Sequence, residues 1–447
     1  MEVLETLAEY VLEKPRFSER AIETARLALM DAIGCAYAAL KVPACTKLLG
    51  PVVEGAFLPG GARVIGMPGE FDPVRAAFNN GTLIRWLDYN DTWLAKEWGH
   101  PSDNLGALLA LSDYLCRKRN KKITLQDLLN WQIKAYEIQG VLALSNCFNG
   151  IGFDHVILVK IASTAVSVGL LGLSKGQVVD ALSHAFLDTG PLRTYRHAPC
   201  TGSRKSWAAG DQTARAVFLA LLTERGEMGY PEALDAKKWG FSERILPVTL
   251  EQKLGSYVME NILFKVKYPA EFHAQTAVEA AIELHMTCPH EQIASIEIET
   301  HEAATRIIAK EGPLKNFADR DHCLQYMVAV ALLKGSLAAS DYEEEAAQDP
   351  RIDGLRKLMR VRENPEFTKD YFDPKKRSIA STLKVRMKDG SVFTKCVEYP
   401  IGHRLRRDEA KPLLLEKFHQ NVGERENVSA LFDDPNLSVE EFFNNLL

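Results

Sequence analysis

Ile262-Leu263-Phe264-Lys265-Val266-Lys267-Tyr268-Pro269 is the stretch on which the fold turns. It reads as a strand entering a turn at Pro269. Before it, to about Asn261, the chain reads as helix after helix. Glu19 to Leu40 carries Ile22, Ala25, Leu29, Ile33 and Ala36 on one apolar stripe, with Ser18 available as its cap. Val74 to Leu87, Asp103 to Leu115, Leu125 to Leu144, Leu158 to Leu173, Val178 to Leu187 and Ser206 to Arg225 follow. Several are alanine-rich and apolar on most faces, which places them centrally in a bundle. After the turn the pattern mixes. His273 to His285 is helical, with Ala274, Ala277, Val278 and Ala281 in register. Ile293 to Thr300 alternates apolar and acidic residues as a half-buried strand. Leu383 to Val397 folds back at Asp389-Gly390 as a hairpin. The tail from Arg407 is helical again. The expected fold is mainly α: a large all-helical domain over 1–264 and a smaller α+β domain over 265–402, which would act as a lid.

At 447 residues two domains are expected. A net charge of −5 leaves no basic stripe for nucleic acid, and no apolar run approaches the roughly 20 residues of a membrane span. Met1-Glu2-Val3-Leu4-Glu5 reads as an acidic amphipathic helix rather than a secretory signal, so a cytoplasmic address is expected. That helix begins abruptly, and a few further residues are expected upstream. Cys35, Cys45, Cys116, Cys147, Cys200, Cys288, Cys323 and Cys396 include no C-x-x-C pair. They read as reduced thiols and not as iron–sulfur ligands. No H-x-x-H or H-E-x-x-H spacing is present, so neither a metal nor another cofactor is expected.

The densest chemistry lies in Arg85-Trp86-Leu87-Asp88-Tyr89-Asn90-Asp91-Thr92-Trp93 and Gly99-His100-Pro101-Ser102-Asp103-Asn104. Acids, an amide, a hydroxyl and an imidazole share one loop between two helices, the way catalytic groups are usually held. Ser102 and Asp103 also look like an N-cap pair, and helix capping is the preferred account of Asp103. Further along, His155 follows Asp154 at the start of an apolar helix. Arg193, Arg196 and Lys205 cluster before a long helix, where a lysine and backbone N–H groups suit a carboxylate.

These segments resemble the MmgE/PrpD family. The likeness continues through Gly152-Phe153-Asp154-His155-Val156, Gly202-Ser203-Arg204-Lys205-Ser206-Trp207 and Tyr268-Pro269-Ala270-Glu271-Phe272-His273. Asp319-Arg320-Asp321-His322, Asp373-Pro374-Lys375-Lys376-Arg377 and Gly402-His403-Arg404 also match, so the likeness spans most of the chain. It is strongest to the branch that dehydrates 2-methylcitrate. The resemblance implies that the tail 403–447 returns to the helical domain, that the chain forms a homodimer, and that the partner of its site is a small tricarboxylate. Related members act on citrate or cis-aconitate, which implies a side activity as an aconitate hydratase.

Dehydration of such a substrate needs a base for a proton alpha to a carboxylate, an acid for the leaving hydroxyl, and cations for the charge that develops. Asp88, Thr92 and His100 match the family motif residue by residue, with Asn90 where many members carry Asp. His100 is assigned to proton transfer, Asp88 to orienting it or to acting as the base, and Thr92 to substrate binding. His155 is the second acid/base group, its bland alternative being local packing at a helix start. Lys205 is placed with the catalytic groups, Arg193 and Arg196 with the substrate carboxylates. His273 is a substrate-binding candidate or a core histidine. Two competing functions stand beside dehydration: decarboxylation of cis-aconitate on the same fold, and a non-catalytic oligomeric scaffold.

Overall fold

The computed structural model describes residues 2–197, 199–423 and 428–446. Two compact units form: Met1–Thr194 with Arg204–Leu263 and Leu414–Leu447, and Tyr195–Ser203 with Phe264–Leu413. The mainly α character is as expected. The tail joins the first unit from Leu414 rather than from residue 403, where Leu414 and Phe418 are buried and Phe418 lies against Gly34.

Helices of the first unit begin where side chains satisfy orphan N–H groups. Ser18 accepts from Ala21 N, Thr124 and Asp127 form a capping box, and so do Ser174 and Gln177. Asp72 accepts from the N–H groups of Val74 and Arg75, and Pro73 takes the first helical position, where no donor is needed. The Val156–Leu171 helix is buried at every residue from Val156 to Leu170, which makes it the centre of the bundle. The unit is not all helical. Strands β1 (Ala62–Val64) and β2 (Met67–Phe71) form an antiparallel hairpin that turns at Gly66, whose φ of 64° suits glycine. Both strands are short, and Pro68 interrupts the apolar pattern, so the hairpin left little trace in the sequence.

In the second unit a four-stranded sheet runs in the order β4 (Met359–Glu363), β3 (Ile293–Thr300), β5 (Ser381–Met387), β6 (Val392–Val397). β3 pairs parallel with β4 and antiparallel with β5, and β5–β6 is the expected hairpin. Ile296, Ile298, Leu383 and Val385 face a core shared with the Gln275–Leu284 and Leu324–Lys334 helices. β4 was not anticipated. The strand expected over Ile262–Tyr268 is a correction in the other direction. Among the described residues, Leu263 makes a single antiparallel bridge with Thr92, exchanging both backbone bonds, and no ladder follows. Extended chain and strand share one side-chain pattern; the partner decides between them. No helix among the described residues is long and apolar enough to cross a membrane.

Candidate active site

Three helices of the first unit cross where each carries a glycine. A Cβ at Gly81 would lie 2.8 Å from Gly210 Cα, one at Gly106 2.8 Å from Gly81 Cα, and one at Gly210 2.5 Å from Thr82 Oγ1. Only hydrogen side chains allow backbones this close. The crossing joins the Pro73–Arg85, Leu105–Arg119 and Arg204–Glu224 helices. Arg85 follows Gly81 by about one helical turn, and Lys205 precedes Gly210 by a little more. The loop that leaves Arg85 turns back through Asp88, whose φ of 49° is left-handed. That conformation strains a residue with a Cβ, though Asp tolerates it better than most. Backbone bridges Thr92–Leu263 and Trp93–Gly99 then fix the loop. Lys417 secures it from the tail by donating to Tyr89 O at 2.7 Å, and its ammonium lies 2.6 Å from Asp31.

His100 stands at the centre. Its Nδ1 lies 2.6 Å from the carbonyl oxygen of Asp91, which can only accept, so Nδ1 carries the proton. Its Nε2 lies 2.9 Å from Nη2 of Arg85, which can only donate, so Nε2 presents its lone pair. Arg85 pairs through Nη1 with Asp88 Oδ1 at 2.6 Å, and that oxygen is 3.8 Å from His100 Nε2. Thr92 Oγ1 is 3.4 Å from His100 Nδ1. Asp88, Thr92 and His100 are thus brought together, all buried.

The proposed caps do other work. Ser102 and Asp103 lie within the 3-10 turn Pro101–Asn104, and the N-cap positions of that turn and of the Leu105–Arg119 helix fall to His100 and Asn104 instead. Ser102 Oγ donates to Asp91 Oδ1 at 2.6 Å, and Asn90 Nδ2 donates to Asp103 Oδ1 at 3.0 Å. The Asp103 capping account is therefore overturned: inward-facing partners outcompeted the helix end. Burial pushes the Asp91 carboxyl up to about 6, against the pull of Ser102 and Tyr136.

His155 reaches the same place from the Val156–Leu171 helix. Its ring centroid is 5.7 Å from that of His100 at 63°, and its Nδ1 is 3.1 Å from Asp154 Oδ1. Gly99 makes room, since a Cβ there would meet His155 Cδ2 at 3.3 Å. The Phe153–Leu192 bridge and the bond from Arg193 N to Gly152 O bring Arg193 to the His155 loop, where its guanidinium covers the Trp98 ring at 5.6 Å. The neighbouring Glu97 is fully buried and accepts from Asn149 N and Nδ2; burial raises its carboxyl to about 7, opposed by those bonds and by Arg193. Lys205 is buried in the first turn of a helix that packs on the Pro101–Asn104 turn.

Arg196 and His273 belong to the second unit. Arg196 is buried with its guanidinium over the Tyr195 ring. His273 is fully buried in an array of its own: Nδ1 is 2.8 Å from Glu271 Oε1 and Nε2 is 3.2 Å from the Tyr371 hydroxyl. Its ring is 5.3 Å from that of His301, which in turn stacks on Tyr371 at 4.8 Å. Among the described residues, no group of three or more His, Cys, Asp and Glu side chains is arranged to hold a metal ion.

Family models for the MmgE/PrpD N-terminal domain and the MmgE/PrpD C-terminal domain match residues 5–251 and 268–430. The chain belongs to the MmgE/PrpD family. It is 55% identical to a 2-methylcitrate dehydratase of Cupriavidus necator over 437 residues, covering 95% of this chain and 90% of the relative. It is 54% identical to a 2-methylcitrate dehydratase of Salmonella typhimurium, with 93% and 89% covered. A relative from Yarrowia lipolytica named "2-methylcitrate dehydratase, mitochondrial" is 51% identical, with 98% and 89% covered.

Within this family frame, Arg85, Gln139 and Glu97 are site neighbours that the sequence reading left without a role. Gln139 Oε1 accepts from Asn104 Nδ2 at 2.6 Å, and Ser163 Oγ donates to Asn104 Oδ1 at 2.7 Å, tying the Leu125–Ser145 and Val156–Leu171 helices to the turn that follows His100. For Arg85 a signal existed: Arg85 and Asp88 stand three apart at a helix end, a spacing that pairs opposite charges.

Proposed function

We propose that this chain is a 2-methylcitrate dehydratase, a hydro-lyase that converts 2-methylcitrate to 2-methyl-cis-aconitate by acid/base chemistry of its own side chains in the breakdown of propionyl groups. The observation that carries the mechanism is the pair of imidazoles, His100 and His155, with ring centres 5.7 Å apart and each beside a carboxylate. One group must take the proton alpha to a substrate carboxylate; the other must protonate the hydroxyl on the adjacent carbon so that it leaves as water. His100 offers a lone pair at Nε2 for the first step, with Asp88 beside it as orienter or alternate base, and His155 serves the second. Lys205 and Arg193 supply positive charge for the substrate carboxylates, and Thr92 a hydroxyl. Arg196 and His273, both in the second unit, are proposed as further substrate-binding residues; that unit is proposed to move as a lid, and the protein to be a cytoplasmic homodimer.

The test is turnover. Protein given 2-methylcitrate forms the conjugated alkene with loss of water. Carbon dioxide from cis-aconitate would instead assign the chain to decarboxylation, and no reaction with either would make it a scaffold. A solution mass equal to one chain refutes the dimer. Identical domain angles with and without a bound tricarboxylate refute the lid.

A further inference from the structure

The Arg85 guanidinium is spent in an unusual way. It donates from Nη1 to Asp88 and from Nη2 to the lone pair of His100, while Nε is buried with no hydrogen-bond partner among the described residues, 4.0 Å from Asp103 Oδ2. Nε and Nη2 form one edge of the planar fork, the edge that takes a carboxylate through two parallel bonds. Half of that edge therefore faces the very nitrogen that a base must keep available. We propose that Arg85 is a positioning residue that masks His100 and yields it to a carboxylate substrate: when a substrate carboxylate docks on the Nε–Nη2 edge, Nη2 leaves the imidazole and the Nε2 lone pair is released for proton abstraction. The proposal rests on His100 being the base.

Two consequences follow from the geometry. While Arg85 faces Nε2 at 2.9 Å, protonating that atom would set two N–H donors and two positive charges against each other. His100 is thereby held neutral, with its proton on Nδ1. The charged and titratable groups around it include Arg85, Asp88 and Asp91 from the Pro73–Arg85 helix and its loop, Asp103 from the Pro101–Asn104 turn, and His155 and Asp154 from the start of the Val156–Leu171 helix. Lys205 lies on the helix packed against that turn. Arg85 is the cation in contact with Nε2, so removing its charge shifts the balance toward the carboxylates and toward imidazolium. The base also answers only to substrates that bring an anion to the fork, which makes a carboxylate beside the reacting carbon a requirement for turnover and not merely an aid to binding.

The experiment is a histidine nitrogen NMR titration of the full-length protein, wild type, Arg85→Gln and Arg85→Lys, with and without propane-1,2,3-tricarboxylate, alongside pH profiles of kcat/KM. Wild-type His100 is expected to stay in the neutral Nδ1–H form to well below the ordinary histidine range, and the tricarboxylate is expected to change its Nε2 signal. In Arg85→Gln the His100 titration and the acid limb of kcat/KM should both move up by about one pH unit or more, with Arg85→Lys between the two. An unchanged His100 titration in Arg85→Gln, or an Nε2 signal indifferent to the tricarboxylate, overturns the proposal. Should the variants not fold, the wild-type titration with and without tricarboxylate decides alone. Failure of the wild type to dehydrate 2-methylcitrate would sink the functional reading, while the NMR result would still decide the masking.

Discussion

Gly81→Ala tests whether the three-glycine crossing places the catalytic loop. A Cβ at Gly81 would lie 2.8 Å from Gly210 Cα and 2.9 Å from Thr213 Oγ1. Ordinary carbon contacts need about 3.8 Å, so the helices must part by about 1 Å. The atom in the way is backbone and cannot rotate aside. Overpacking of this kind costs about 1–3 kcal/mol, offset by up to about 1 kcal/mol from the better helix propensity of alanine. A net loss of about 1 kcal/mol follows. The larger effect is on turnover, because Arg85, Asp88 and His100 are carried on the separating elements. A misplacement of about 1 Å costs on the order of a hundredfold in rate. Gly176→Ala is the matched control: it also lies in a helix, and nothing stands within 4 Å of its added Cβ. Urea unfolding reads the stability, and the ultraviolet absorbance of the conjugated product reads kcat. Wild-type stability and rate in Gly81→Ala would refute both the tight crossing and its part in placing the site, as would equal losses in Gly176→Ala.

His100→Ala and Asp88→Asn should each lower kcat by about a hundredfold or more with folding intact, since asparagine also tolerates the left-handed backbone at position 88; near-normal turnover would remove that residue from the chemistry. Lys205→Ala should weaken substrate binding or charge support and Lys205→Arg restore only part, whereas equal activity of the alanine variant in steady-state kinetics would deny the lysine a role. Glu97 links stability to pH: its folded carboxyl sits at about 7 against 4.5 in the free state, so between those values the folded protein keeps a proton that the unfolded chain has released. Unfolding free energy should therefore fall as pH rises through this window, by roughly 3 kcal/mol from this group. Glu97→Gln should flatten that slope in urea titrations; parallel curves for variant and wild type would contradict it. Dehydratase activity should survive aerobic chelator treatment, because the sequence has no C-x-x-C pair and Cys35, Cys45, Cys116, Cys288 and Cys323 are buried; recovery of lost activity only with iron and sulfide would refute this.

What the amino-acid order determined by itself was local and periodic. The helix spans with their caps at Ser18, Thr124 and Ser174, and the Leu383–Val397 hairpin, were legible because a 3.6 or 2.0 repeat and a capping hydroxyl act within a few residues. Family membership was legible because motif residues stand in order along the chain. Tertiary structure decided what depends on partners distant in sequence. The extended run at Ile262 became one bridge to Thr92 because, among the described residues, no further strand pairs with it. Ser102 and Asp103 turned inward because Asp91 and Asn90 offered buried polar atoms that would otherwise be unpaid for in hydrogen bonds. Arg85 passed as one basic residue among many until folding set it between Asp88 and His100. The tautomer of His100 likewise follows from a carbonyl on one side and a guanidinium on the other, a choice made by three-dimensional neighbours and not by the histidine itself.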